Sequence, residues 1–145
     1  QPNFLNQLTA RHGIAHLVEI HDPVSYREST RLQMQADVLL LMQWNDPREQ
    51  GNVPGKLFEY IGARRPVLGL GIENGVPAKL LAERGAGRVT NDPAEIARML
   101  EDWIEEKRAK GAIPLVPAEA RRGLTRPEQF AGIERLLYEV VETND

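Results

Sequence analysis

The chain has 145 residues, 41% of them hydrophobic, a formal net charge of −3 and no cysteine. That length suffices for one domain with a real core, and the balance excludes disordered and collagen-like classes. It also speaks against a nucleic-acid partner, because no basic stripe interleaves with aromatics. The lack of cysteine removes disulfides, thiolate chemistry and Cys-ligated metals, which fits a reducing, cytoplasmic setting. No apolar run approaches the ~20 residues that span a bilayer, and no signal peptide is visible. The first residue is Gln1 rather than Met, which reads as a piece of a longer protein.

Pro2 to His12 spaces Phe4, Leu5, Leu8 and Ala10 as a short amphipathic helix, with Gly13 as its stop. His16 to His21 reads as a strand, broken by Asp22-Pro23. Ser25 then caps a helix running to about Gln35, with Glu28 completing a capping box. Asp37 to Met42 is a continuous aliphatic run, as expected for a parallel strand buried on both faces. The polar loop 43–53 follows, at the carboxyl end of that strand, where open α/β sheets keep their function.

The next stretch, Gly51 to Leu68, organises the whole chain. Gly51, Asn52 and Pro54 allow a sharp turn. Asn52 is a plausible N-cap, and Pro54 is tolerated in a first helical turn. The helix runs to about Ala63 and leads into a strand at Pro66 to Leu70. Its N-terminus, at the end of a parallel strand, attracts phosphate through unpaired N–H groups and the helix dipole. Lys56 adds positive charge there, and Glu59 shares its face of the helix. A carboxylate one turn beyond a phosphate-binding turn is placed to accept from ribose hydroxyls.

Gly75-Val76-Pro77 opens a helix closed by Gly85, and Gly87 to Thr90 reads as a short edge strand. Asn91 or Asp92 caps a long helix with Pro93 near its start and a buried stripe of Ile96, Met99, Leu100, Trp103 and Ile104. Residues 111–117 form a linker with an apolar patch, and Thr125 with Glu128 caps a last helix over 125–142. Strand and helix thus repeat four times before a final helix. The fold class is α/β: a Rossmann-like open parallel sheet with helices on both faces.

Lys56-Leu57-Phe58-Glu59-Tyr60-Ile61-Gly62-Ala63-Arg64-Arg65-Pro66-Val67-Leu68, led by Ala36 to Leu41, resembles the donor-binding domain of GT-B glycosyltransferases of the family 4 type. The similarity extends from about His16 to the C-terminus and is strongest over Ala36 to Leu70. It implies the second half of a GT-B C-terminal domain. The four strands would be the third to sixth of six, with the first two strands and the N-terminal acceptor domain absent from this chain. It further implies that Glu59 holds the ribose and that Val53 to Leu57 cradle the diphosphate. Asn52, Val53, Pro54, Gly55, Lys56, Leu57 and Glu59 are therefore the candidate donor-binding residues, with no catalytic residue assigned. Many members carry Glu-x7-Glu; here the position eight before Glu59 is Gly51, and Glu49 lies nearby on the loop.

The implied activity is transfer of a sugar from a nucleoside diphosphate sugar to a glycan or lipid-linked acceptor, as in polysaccharide biosynthesis. The nucleotide sugar is a substrate, and neither metal nor cofactor is expected. This chain alone would not catalyse transfer. Its partners would be the acceptor domain, a membrane surface for the parent enzyme, and a second copy through the exposed strand edge. The alternatives are a nucleotide-sugar epimerase-like enzyme, which needs further carboxylates and histidines, and a non-catalytic α/β interaction module.

Plainer readings stand beside these. Glu59 and Lys56 would serve as solvated helix residues, Gly55 as a packing contact, and Asn52 as a cap before a ligand contact. His12, His16 and His21 straddle Gly13 and a strand, which is no metal spacing. His21 and Asp22 would follow a strand where the resemblance implies contact with the nucleobase, but most members have Gly near the Asp22 position. Trp44 would cover the sheet end or stack on a ligand. Arg64-Arg65, Arg121-Arg122 and Lys107 to Lys110 read as solvated.

Overall fold

The computed structural model describes residues 2–142, with side chains from residue 4 onward. It contains α1 (Pro2–Arg11), α2 (Tyr26–Gln35), β1 (Leu39–Met42), α3 (Gly55–Ala63), β2 (Val67–Leu70), α4 (Val76–Glu83), β3 (Gly87–Val89), α5 (Pro93–Lys110) and α6 (Arg126–Glu142). Three parallel strands form an open sheet in the order β1-β2-β3. The α/β class and the parallel sheet agree with the sequence reading.

The register puts Leu39 beside Val67 and Gly87, and Leu41 beside Gly69 and Val89. These residues share one face by the two-residue period of a strand. On that face Leu41, Val67 and Val89 join Leu57 and Ile61 of α3, Ala78 and Leu81 of α4, and Val116 and Ala120. Leu57 and Ile61 stand four apart, one turn, so a single stripe of α3 enters the core. Val116 and Ala120 come from the linker and a 3-10 turn at Ala118–Arg121, so the linker helps close the core.

α5 begins after β3 and its last turn reaches the start of β1, where Lys107 Nζ lies 2.5 Å from Asp37 Oδ2. It therefore runs back past the second sheet face. That face is incompletely covered: Leu68 is buried, but Leu40 is 48% and Met42 71% exposed. The expectation that β1 is buried on both faces is corrected; only alternate residues are. The stripe of α5 is corrected too, since Ile96, Met99 and Trp103 are half-buried while Leu100 and Ile104 are exposed. The cause is the same: the described residues place too little over this face.

The strand expected at His16 to His21 does not form. Ala15–Leu17 is a 3-10 turn and residues 18–25 have no regular structure. All of residues 10–27 are exposed. A parallel strand gains its stability from a neighbour's ladder and a buried face, and this segment has neither. The outer edge of β1 is consequently unpaired among the described residues. β3 is the other edge, as expected.

Helix ends follow local chemistry. Ser25 Oγ accepts from Glu28 N at 3.2 Å, but the Glu28 carboxylate turns to Arg31 instead of closing the box. Asp92, not Asn91, caps α5 by accepting from Ala94 N at 3.0 Å. At α6 the box is complete, with Thr125 N donating to Glu128 Oε2 at 3.1 Å and Glu128 N to Thr125 Oγ1 at 3.4 Å. The Thr125 hydroxyl, with help from the N–H groups of Gly123 and Thr125, holds the Glu128 carboxyl below the ordinary glutamate range. A carboxyl held low when folded stabilises the fold above its unfolded titration point and loses that contribution as pH falls through the folded value. The first turn of α6 is thus expected to fray in acid. Amide protection at Glu128 and Gln129, followed from about pH 6 to about pH 3, should fall in the native chain, and Glu128→Gln should flatten the profile.

The arginines after α3 are not simply solvated. Arg64, left-handed at φ 58°, donates from Nε to Val116 O at 2.7 Å. Arg65 donates from Nε to Met34 O at 3.0 Å. Together they tie α3 to the linker and to α2. The apolar face of α6 stays open, with Phe130 at 68% and Leu137 at 61% exposure. No helix of the described residues is long and apolar enough to cross a membrane.

Candidate site at the start of helix α3

The loop from β1 to α3 is shaped by its own side chains. Asp46 caps the 3-10 turn Pro47–Glu49 by accepting from Arg48 N at 3.0 Å. The Arg48 guanidinium also holds the Asp46 carboxyl below the usual range. Asn52 is not the cap of α3; Pro54 occupies that position without a side-chain bond. Proline has no side-chain acceptor, so the free donors are left uncapped. Asn52 Nδ2 instead donates to Glu49 Oε2 at 2.6 Å, and Asn52 O accepts from Gln43 Nε2 at 3.1 Å. Both bonds keep Asn52 within the loop. Val76 N donates to Gln50 O at 2.9 Å and ties the loop to the start of α4.

The N–H groups of Val53, Gly55 and Lys56 have no acceptor among the described residues, whereas Leu57 N donates to Pro54 O at 3.0 Å. Unpaired amides at a helix N-terminus form a positive, donor-rich end suited to an anion. Lys56 is exposed beside them and has no ion pair among the described residues. Gly55 can now be read further: a Cβ there would meet nothing within 4 Å. Tight packing does not require this glycine, which leaves close approach of a ligand as its other reading.

Val53, Gly55, Phe58 and Glu59 line a groove of about 820 Å³, with Tyr26 and Arg126 facing them. Three of the seven expected residues thus meet in one concavity. Leu57 does not join them, since its side chain is fully buried in the core. Asn52, Pro54 and Lys56 neighbour the lining residues in sequence but do not line the groove. Glu59 is half-buried, and its Oε2 accepts from Gln33 Nε2 at 3.0 Å. Burial raises the phenol of neighbouring Tyr60, and the Glu59 charge adds to that.

A second cavity, about 650 Å³, opens at the carboxyl ends of the strands between Asn45, Gln50, Glu73, Asn74 and Asn91. The sequence reading did not foresee it. Behind it Thr90, 1% exposed, donates from Oγ1 to Glu95 Oε2 at 2.7 Å, and Arg88 lies 2.6 Å from the other Glu95 oxygen. Asn91 exchanges two hydrogen bonds with the backbone of Gly71, at 3.1 and 2.6 Å, which fixes the turn after β2. Its only signal in the sequence was Thr90-Asn91-Asp92 after a strand, which marked a cap.

Trp44 is 81% exposed and does not cover the sheet end. The three histidines are exposed, and no group of three His, Cys, Asp or Glu among the described residues could hold a metal ion. The chain matches no family model, no curated protein and no solved structure.

Proposed function

We propose that this chain is the donor-binding part of a GT-B type glycosyltransferase, taking a nucleoside diphosphate sugar. The observation that supports this most is the start of α3. The N–H groups of Gly55 and Lys56 have no acceptor among the described residues, at a helix start that follows a parallel strand, and Glu59 lines a groove one turn further on. A departing nucleoside diphosphate gathers negative charge. Preorganised donors and Lys56 would stabilise that charge without moving. Glu59 would accept from the ribose hydroxyls.

Two features belong to the same proposal. The unpaired edge of β1 and the open face of α6 are where further strands, an acceptor domain or a second copy would join. The acceptor, and any base that activates it, would come from that added part. The reaction would run in the cytoplasm, with the parent enzyme at a membrane surface when the acceptor is lipid-linked. The epimerase-like alternative gains nothing here, because none of the exposed histidines lines the groove.

Thermal melting with UDP, GDP and ADP tests the reading. A ligand at ~100 times its dissociation constant adds about 2.7 kcal/mol. One nucleotide should raise the melting temperature, and Glu59→Ala should abolish most of the shift. Gly55→Ala should melt no lower than the native chain, since its Cβ has open space, yet bind the nucleotide less well. No shift with any of the three nucleotides would overturn the proposal.

A further inference from the structure

α2 reads Tyr-Arg-Glu-Ser-Thr-Arg-Leu-Gln-Met-Gln, a polar helix in which Gln33 alone is buried, at 9% exposure. Its Nε2 donates to Glu59 Oε2 at 3.0 Å and to Ser29 Oγ at 3.3 Å. Its Oε1 is buried without a partner. An unpaired buried amide oxygen costs free energy that an apolar side chain of the same shape avoids. Packing alone would therefore favour Leu or Met at this position. The carboxylate explains the glutamine. Ionised Glu59 only accepts, so the amide must turn its NH2 end to it and its oxygen away.

Glu59 consequently has two unlike oxygens. Oε2 is held from the α2 side, and Oε1 has no partner among the described residues. The residue itself lines the groove beside Gly55 and Phe58. We propose that Gln33 is a positioning residue: it clamps one oxygen of Glu59 so that the carboxylate presents a fixed pair of acceptors to a vicinal diol. This rests on the reading of Glu59 as the ribose-holding group. A free glutamate would have to lose its rotamer freedom on binding, whereas a clamped one has already lost it. The clamp therefore acts on the ribose hydroxyls and not on the phosphates, which meet the α3 amides.

The signature is selectivity for ribose. Calorimetric titration of UDP, GDP and ADP, each beside its 2′-deoxy counterpart, is made on the native chain, Gln33→Met and Glu59→Ala. Met keeps the volume and removes the donor; Gln33→Leu is a second variant with the same expectation. The native chain should prefer the ribonucleotide. Gln33→Met should lose about tenfold in ribonucleotide affinity, as for one charge-assisted hydrogen bond, with a smaller loss for the deoxynucleotide, which keeps only the 3′-hydroxyl. Glu59→Ala should show the same pattern, and the double variant should be no worse than Glu59→Ala. A variant that merely loosened the fold would weaken both nucleotide series together. Native-like ribose preference in Gln33→Met and Gln33→Leu, with Glu59→Ala still losing it, would overturn the clamp and leave the site intact. A native chain that binds no nucleotide, or binds both series alike, would overturn the reading of Glu59 itself.

Discussion

Gly87→Ala is expected to destabilise the chain by about 3 kcal/mol or more, the range of backbone strain combined with overpacking. Gly87 stands opposite Val67 in the β2–β3 register at φ 155°. A Cβ there would lie 2.0 Å from Val67 O and 2.8 Å from Val67 C. Those are backbone atoms, so no side-chain rotation relieves the clash. β3 would have to leave β2, weakening the flanking bonds from Val67 N to Ala86 O and from Thr90 N to Gly69 O, at 2.9 and 3.0 Å. It would also take Val89 out of the core and slacken Thr90 behind the second cavity. Urea unfolding should show a lower midpoint for Gly87→Ala. Gly62→Ala is the matched control, because its Cβ meets nothing within 4 Å; in the last turn of α3 it should gain less than the about 1 kcal/mol of a helix interior. Equal midpoints for the two variants would mean that β3 is not seated on β2 as described.

The contrast between these glycines shows what the sequence could and could not convey. Gly87 and Gly62 look alike as letters, and only the neighbour across the sheet separates them. Local signals carried well: Ser25, Asp92 and Thr125 each begin a helix because the cap needs only the next three residues. β2 could be read from its aliphatic run, and β3 because it is a short segment between helices with clear ends. The segment His16 to His21 has a similar local pattern and fails, because a strand exists only through its partner. Leu40 and Met42 fail for a related reason, since burial of the second face depends on elements far along the chain. At the candidate site, Gly55 and Glu59 could be placed from the turn and the helix period. Gln33 could not be found, because α2 leaves its apolar residues Tyr26, Leu32 and Met34 exposed and its one buried residue is chosen by α3, 26 positions later. The arginines of the α3 end were misjudged in the same way; their acceptors at Val116 and Met34 lie far off in sequence.

Leu57→Ala is expected to cost about 2–5 kcal/mol, the usual range for a buried leucine that leaves a cavity. Leu57 is 0% exposed and is one of the largest fully buried side chains. It is one of the ten residues of the buried core, which is drawn from the strands, α3, α4 and the linker. A domain of this length has roughly 7–20 kcal/mol of stability in all, so one side chain carries a large share. The position matters as much as the burial. Leu57 follows Lys56 directly and sits within the first turn of α3, so its insertion fixes where the unpaired amides of Gly55 and Lys56 point. Loss of the side chain should therefore lower the urea midpoint and also loosen the first turn of α3, raising exchange of the Leu57 amide, which donates to Pro54 O, more than that of Ile61. Leu57→Met conserves volume and should cost less than about 1.5 kcal/mol, with the first turn still protected. If Leu57→Ala instead left α3 protected and the midpoint within about 0.5 kcal/mol of the native chain, as a surface change would, the helix would not be anchored by this residue. The candidate anion site would then lack the rigid support that preorganised donors require.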